Sequence, residues 1–163
     1  MFDFNDIHVL RNSNNVFIKA DISMQRFGRQ FDKAQYALDS AVMTDMIPYM
    51  PMVTGTFINE TKAMSAAIAG TGYVYAAAPP YGRFLYEGKT MVGESTGSAW
   101  ANIGEKKVLV SKYQGKTNAK EYLTYNKSAH PNVTDHWFDA AKRQHGKSWG
   151  RMVKKIAGGG KRG

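Results

Sequence analysis

Near the start of the chain, apolar residues alternate with polar ones. Ile7 and Val9 share one side, Val16 and Ile18 do the same, and the turn-forming run of residues 11–15 lies between them. This alternation predicts two short strands joined by a loop. Phe2 and Phe4 either extend the first strand or anchor elsewhere. From 21 to 46 the period lengthens. Met24, Phe27, Phe31, Ala34, Leu38, Ala41 and Val42 recur at spacings of three and four, which predicts an amphipathic helix. Asp21 is its expected N-cap, and Arg26, Arg29, Lys33 and Asp39 fall on its polar face. Gly28 weakens its interior, and Pro48 stops it.

Pro48 and Pro51 then hold an extended linker, and Thr54-Gly55-Thr56 supplies a turn whose hydroxyls can cap a short helix over 56–64. Residues 65–69 read as extended, Gly70 and Gly72 as a turn, and residues 73–78, Tyr-Val-Tyr-Ala-Ala-Ala, as a strand. Pro79-Pro80 opens a corner with one helical turn. The stretch from about 89 to 129 is polar and glycine-studded, and is expected to be an inserted hairpin or loop arm. Its strand pair is predicted between 106–113 (Lys-Lys-Val-Leu-Val-Ser-Lys-Tyr) and 120–126 (Lys-Glu-Tyr-Leu-Thr-Tyr-Asn). The last pattern is helical: Trp137, Phe138, Ala141, Trp149, Met152, Val153 and Ile156 form a stripe. Thr134 is its expected N-cap and Gly146 and Gly150 its expected interruptions.

These elements predict a single α+β domain over 1–157 and a flexible basic tail over 158–163. The expected fold is a small antiparallel sheet packed by a long N-terminal helix and a C-terminal helix, with a protruding β-hairpin or long loop.

Composition narrows the function classes. The 163 residues carry no cysteine, so disulfides, thiolate metal sites and a cysteine nucleophile are excluded. No run of about 18 apolar residues occurs, which predicts no membrane span, and the N-terminus lacks the apolar core of a signal peptide. The formal net charge is +9, which favours polyanionic partners: nucleic acid, an anionic membrane or an acidic protein face.

Catalytic and cofactor motifs are absent. There is no Gly-x-Ser-x-Gly elbow and no phosphate-binding loop of the Gly-Lys-Ser/Thr type. Gly70 and Gly72 lack a third glycine, and Tyr73 blocks a phosphate cradle. Among His8, His130, His136 and His145 no pair has the three- or four-residue spacing that puts two metal ligands on one helix face. The 13 acidic residues are scattered, without a carboxylate pair of the glycosidase kind. Arg83 and Glu87 read as a surface ion pair worth little. No enzyme, metal or cofactor is therefore expected.

Basic and aromatic residues do interleave. Lys112, Tyr113, Lys116, Lys120, Tyr122, Tyr125 and Lys127 fall on the predicted hairpin. The pattern fits either a platform for single-stranded nucleic acid or a half-exposed arm that contacts other protein subunits, the second being favoured. With Lys154, Lys155, Lys161 and Arg162 near the chain end, the hairpin residues from Lys112 to Tyr125 are the expected partner contacts.

The order of three motifs carries a resemblance. Pro51, Thr54, Gly55 and Phe57 open a short helix. Tyr75 and Ala76 end a strand followed by Tyr81, Tyr86 and Gly88. Trp137, Phe138, Ala141 and Lys142 begin the last helix. Over roughly residues 20–157 this order is similar to the minor capsid and head–tail joining (neck, or tail-completion) proteins of long-tailed bacteriophages. Val53 stands where that family carries an acid. The resemblance implies a structural virion protein assembled in the host cytoplasm: a homo-oligomeric ring at the neck between portal connector and tail. It also implies head-closure and tail-terminator or tail-tube proteins as neighbours, with the basic residues either lining a channel for non-specific contact with translocating DNA or meeting an acidic ring above or below. The alternative is a stand-alone basic nucleic-acid-binding protein.

Overall fold

A computed structural model describes residues 7–11, 16–20 and 28–158. The elements in chain order are β1 (Ile7–Arg11), β2 (Val16–Ala20), α1 (Gly28–Met46), α2 (Thr56–Ala67), β3 (Tyr73–Ala77), α3 (Gly82–Glu87), β4 (Met91–Gly93), β5 (Lys107–Leu109) and α4 (Trp137–Ala157). Short 3-10 turns occupy Ile47–Tyr49 and Val110–Lys112. The mixed helix-and-sheet architecture is the one the sequence predicts, with the long N-terminal and C-terminal helices packed on one another.

The alternation at the start of the chain becomes an antiparallel pair, Val9 opposite Ile18, and β3 joins on the other side of β2 to give the order β1-β2-β3. A bulge at Val16/Phe17 shifts the second register. One face of this sheet is apolar: Val16, Ile18, Val74 and Ala76 are fully buried. Ala34, Leu38, Val42 and Met46 of α1 are fully buried as well, as their spacing requires. The expected helix residues Asp21, Met24 and Phe27 lie outside the described residues.

Asp39, expected on the polar face of α1, is instead 2% exposed. Its Oδ2 accepts the N–H groups of Gly70 (2.7 Å) and Gly72 (3.2 Å), and its Oδ1 accepts Nε2 of Gln35 (2.8 Å). A buried carboxylate is tolerable when charge-assisted hydrogen bonds replace its water. Gly70 (φ 91°) and Gly72 (φ 82°) adopt the left-handed backbone that presents both amides to it.

Residues 65–67, expected to be extended, continue α2. Helical phase explains this, because Thr61 and Ser65 lie one turn apart and are both buried against β3. Ser65 Oγ accepts the N–H of Tyr75 (3.1 Å) and donates to its carbonyl (3.2 Å), and Thr61 Oγ1 accepts the N–H of Ala78 (3.1 Å). The small hydroxyl residues thus serve as edge cover for β3. Neither Thr54 nor Thr56 caps α2. Their hydroxyls bond each other at 3.1 Å, and Gly55 occupies the N-cap with φ 81°.

The apolar stripe of α4 closes the core, and the helix runs through Gly146 and Gly150 without a break. Both glycines are buried. Trp149 Nε1 donates to Asp45 Oδ2 (2.6 Å), linking α4 to α1. The N-cap is His136, not Thr134. His136 has φ 42°, its N–H donates to the Tyr86 carbonyl (2.8 Å), and its own carbonyl accepts the N–H of Asp139 (2.8 Å).

Candidate functional site

Residues 88–136 leave α3, form an arm and return to α4. The arm is built around residues 88–94. Met91, Val92 and Gly93 pair antiparallel with Leu109, Val108 and Lys107. On the other side of the same segment, Lys89 bridges Tyr122, Thr90 N–H donates to Glu121 O (2.9 Å), and Leu123 N–H donates to Gly88 O (2.8 Å). A hairpin therefore exists, but its strands are 91–93 and 107–109. The expected pairing of 106–113 with 120–126 does not form. The chain turns at Val110–Lys112, which removes half of the predicted first strand, and residues 120–126 meet 88–90 instead.

The return path is held to the core. Tyr125 Oη donates to the Leu85 carbonyl, the His130 ring meets the Met50 carbonyl at 2.8 Å, and Thr134 N–H donates to Tyr49 O (3.1 Å). Burial, and then the charge of Asp135, push the Tyr125 phenol well above its ordinary pKa.

The loop between β4 and β5 is organised by one carboxylate. Glu105 Oε1 accepts N–H and Oγ of Ser95 (3.1 and 2.7 Å) and N–H and Oγ1 of Thr96 (2.9 and 2.9 Å). Its Oε2 accepts the N–H of Asn102 (2.7 Å). Gly93 lies where a Cβ would run into Glu105 Oε1, so the absence of a side chain there lets the carboxylate close the loop. The Ser95 hydroxyl, then the Asn102 and Thr96 bonds, hold the Glu105 carboxyl at about 2, below its ordinary 4.5. The loop this orders carries Trp100 (89% exposed) and Ile103 (fully exposed) at its tip. Both large apolar side chains are thus held out in solvent on an ordered loop.

Because its folded pKa is depressed, Glu105 supports the loop above pH 4.5, and that support is lost as pH falls through about 2. The amide proton shifts of Ser95, Thr96 and Asn102 should therefore titrate together with a midpoint near 2, followed by NMR. A midpoint near 4.5 would show that the carboxylate does not hold the loop.

Between α3 and the β4–β5 ribbon lies an open groove of about 580 Å³. Phe84, Met91, Val108 and Leu109 give it an apolar floor. Arg83, Lys89, Lys106, Lys107 and Lys112 supply its charge against the single acid Glu87. Lys107 Nζ also donates to the Ala99 carbonyl (2.8 Å), and Glu87 Oε2 lies 3.4 Å from His136 Nε2.

Of the expected contact residues, Lys112 lines this groove and Tyr122, 63% exposed, stands across the bridge from Lys89. Lys116 and Lys120 are exposed on the arm outside the groove lining, and Lys154 and Lys155 are exposed on the last turn of α4. Tyr113 and Tyr125 are half-buried parts of the framework. The Tyr113 ring fills the space beside Gly97 and Gly115, at 2.6 Å from where either Cβ would be. Lys161 and Arg162 lie outside the described residues.

The sequence pattern gives Arg83 only as a surface partner of Glu87 and places Lys106 and Lys107 on the predicted hairpin, but it singles out neither Lys89 nor Trp100 nor Ile103 as a contact. The doublet Lys106-Lys107 was visible, but its convergence with α3 depends on the β4–β5 register. Asp135 and His136 lie together at 3.6 Å. Among the described residues no set of three histidine, aspartate or glutamate side chains has the placement to hold a metal ion, and no helix is long and apolar enough to cross a membrane. Comparisons with protein families, with curated proteins and with solved structures find no match in any of the three.

Proposed function

We propose that this chain is a structural virion protein of a tailed phage, a ring-forming subunit at the neck that joins the portal end of the head to the tail. The observation that carries the reading is the arm. It is ordered by its own hydrogen bonds, pinned at its base to α3, and ends in exposed Trp100 and Ile103. A closed core with a pre-ordered apolar projection is suited to a heterologous, head-to-tail contact, the kind that closes into a ring when the rotation permits. The motif order from Pro51 to Lys142 supports the choice of the neck. In this reading the chain is not an enzyme and uses no cofactor. Its partners are copies of itself, portal-side closure proteins and tail-terminator or tail-tube proteins.

The test is location. An antibody against the chain, applied to purified particles of the phage encoding it, should label the head–tail junction. Label on the shell or tail alone, or none, would remove the proposal. The basic groove favours a second reading, a free-standing nucleic-acid-binding protein. Tight, steeply salt-dependent DNA binding by a monomer would distinguish it.

A further inference from the structure

We infer that the groove between α3 and the β4–β5 ribbon is a binding site for the phosphodiester backbone of a nucleic-acid strand. The inference rests on the groove alone and holds whether or not the chain belongs to a phage neck.

Its five cations come from three separate stretches: Arg83 from α3, Lys89 from the segment leaving it, and Lys106, Lys107 and Lys112 from β5 and its flanks. Only the fold brings them to one cleft. The same charges spread over the surface would instead read as solubility. The one acid among them, Glu87, has its carboxylate beside His136.

The chemistry of the lining selects the ligand. A small-molecule site is enclosed and mostly apolar, with a few fixed polar groups that orient one ligand. This groove is open, and four of its five cations are lysines, flexible point charges without a fixed fork. Such a row suits a series of equivalent phosphates rather than one oriented anion. Lys107 is steadied by its bond to Ala99 and retains further donor protons for a phosphate. An aromatic also stands within the same framework. Tyr122 is exposed directly across the β-bridge from Lys89, where an unstacked base beside a bound phosphate can rest on its ring.

The experiment uses the full chain and a fluorescent oligothymidylate, with a duplex of the same length in a parallel arm. Affinity is measured by anisotropy between 50 and 200 mM salt. The parent should bind with an affinity that falls linearly on a log–log plot against salt. The triple variant Lys89→Ala, Lys106→Ala, Lys112→Ala should lose about 2 from the magnitude of that slope on the single strand, at about 0.7 per phosphate contact. A control variant, Lys33→Ala, Lys62→Ala, Lys147→Ala, removes the same charge from α1, α2 and α4 and should keep the parent slope. Tyr122→Ala should weaken the single-strand arm more than the duplex arm. Equal slope loss in the two triple variants, or no binding by a folded parent at 50 mM salt, overturns the inference. Circular dichroism and melting establish that each variant is folded. The mass of the groove variant should match that of the parent, so loss of nucleic-acid binding is separable from loss of assembly.

Discussion

A chain carrying Trp100→Ala and Ile103→Ser is expected to fold and melt as the parent does, yet to remain a monomer where the parent assembles. Both side chains stand in solvent, at 89% and full exposure, so their removal changes stability by no more than about 0.5 kcal/mol. Their place in an assembly is different. An aromatic that becomes buried at the centre of an interface typically accounts for about 2–4 kcal/mol of binding, or about 30-fold to 700-fold in that contact's dissociation constant. A ring multiplies the effect, because every subunit makes the contact once with each neighbour. Light scattering on parent and variant at equal concentration checks this. A variant that assembles as the parent does would show that the tip is not the contact.

The second large effect falls in the core. Trp137→Ala should destabilise the domain by about 3–5 kcal/mol, against a total of about 5–15 kcal/mol for a domain of this kind. Trp137 is fully buried, and its ring meets Tyr86 edge-on at 4.8 Å and Phe57 at 6.0 Å. Its Nε1 donates to the Ala76 carbonyl at 2.8 Å. One side chain therefore ties α4, α3, α2 and β3 together. Truncation leaves a large cavity and removes the donor from a buried carbonyl. Trp137→Phe keeps most of the packing and should cost far less, with the lost hydrogen bond as its main term, about 1–3 kcal/mol. Urea unfolding of the two variants measures the difference. Equal costs would mean that the packing around the indole matters little.

These two sites show what was legible in the sequence. Trp137 lies on a periodic stripe, and period alone marks it as core. The same holds for Leu38, Val42, Val16 and Ile18, all fully buried as the pattern requires. Asp39 was misread because a carboxylate on a helix is ordinarily solvated. Its burial follows from two glycine amides some 30 residues away, and no local window contains them. The arm was legible as an insertion but not in its pairing. β4 has only three residues, too short to carry a periodic signal, so the sequence pattern joins the Val108–Leu109 segment to the nearer segment at 120–126 instead. The groove inherits that difficulty. Lys106 and Lys107 face α3 only because β5 pairs with β4, whereas Tyr113 and Tyr125, prominent in sequence, are used up in holding the arm together.

Self-assembly through the arm sets the mass of the purified full chain in solution, and that mass is the decisive quantity. Native mass spectrometry with electron microscopy of the same sample should give a single closed oligomer seen as rings. A chain that stays monomeric across the micromolar range, and forms no rings when concentrated further, is not a ring-forming subunit.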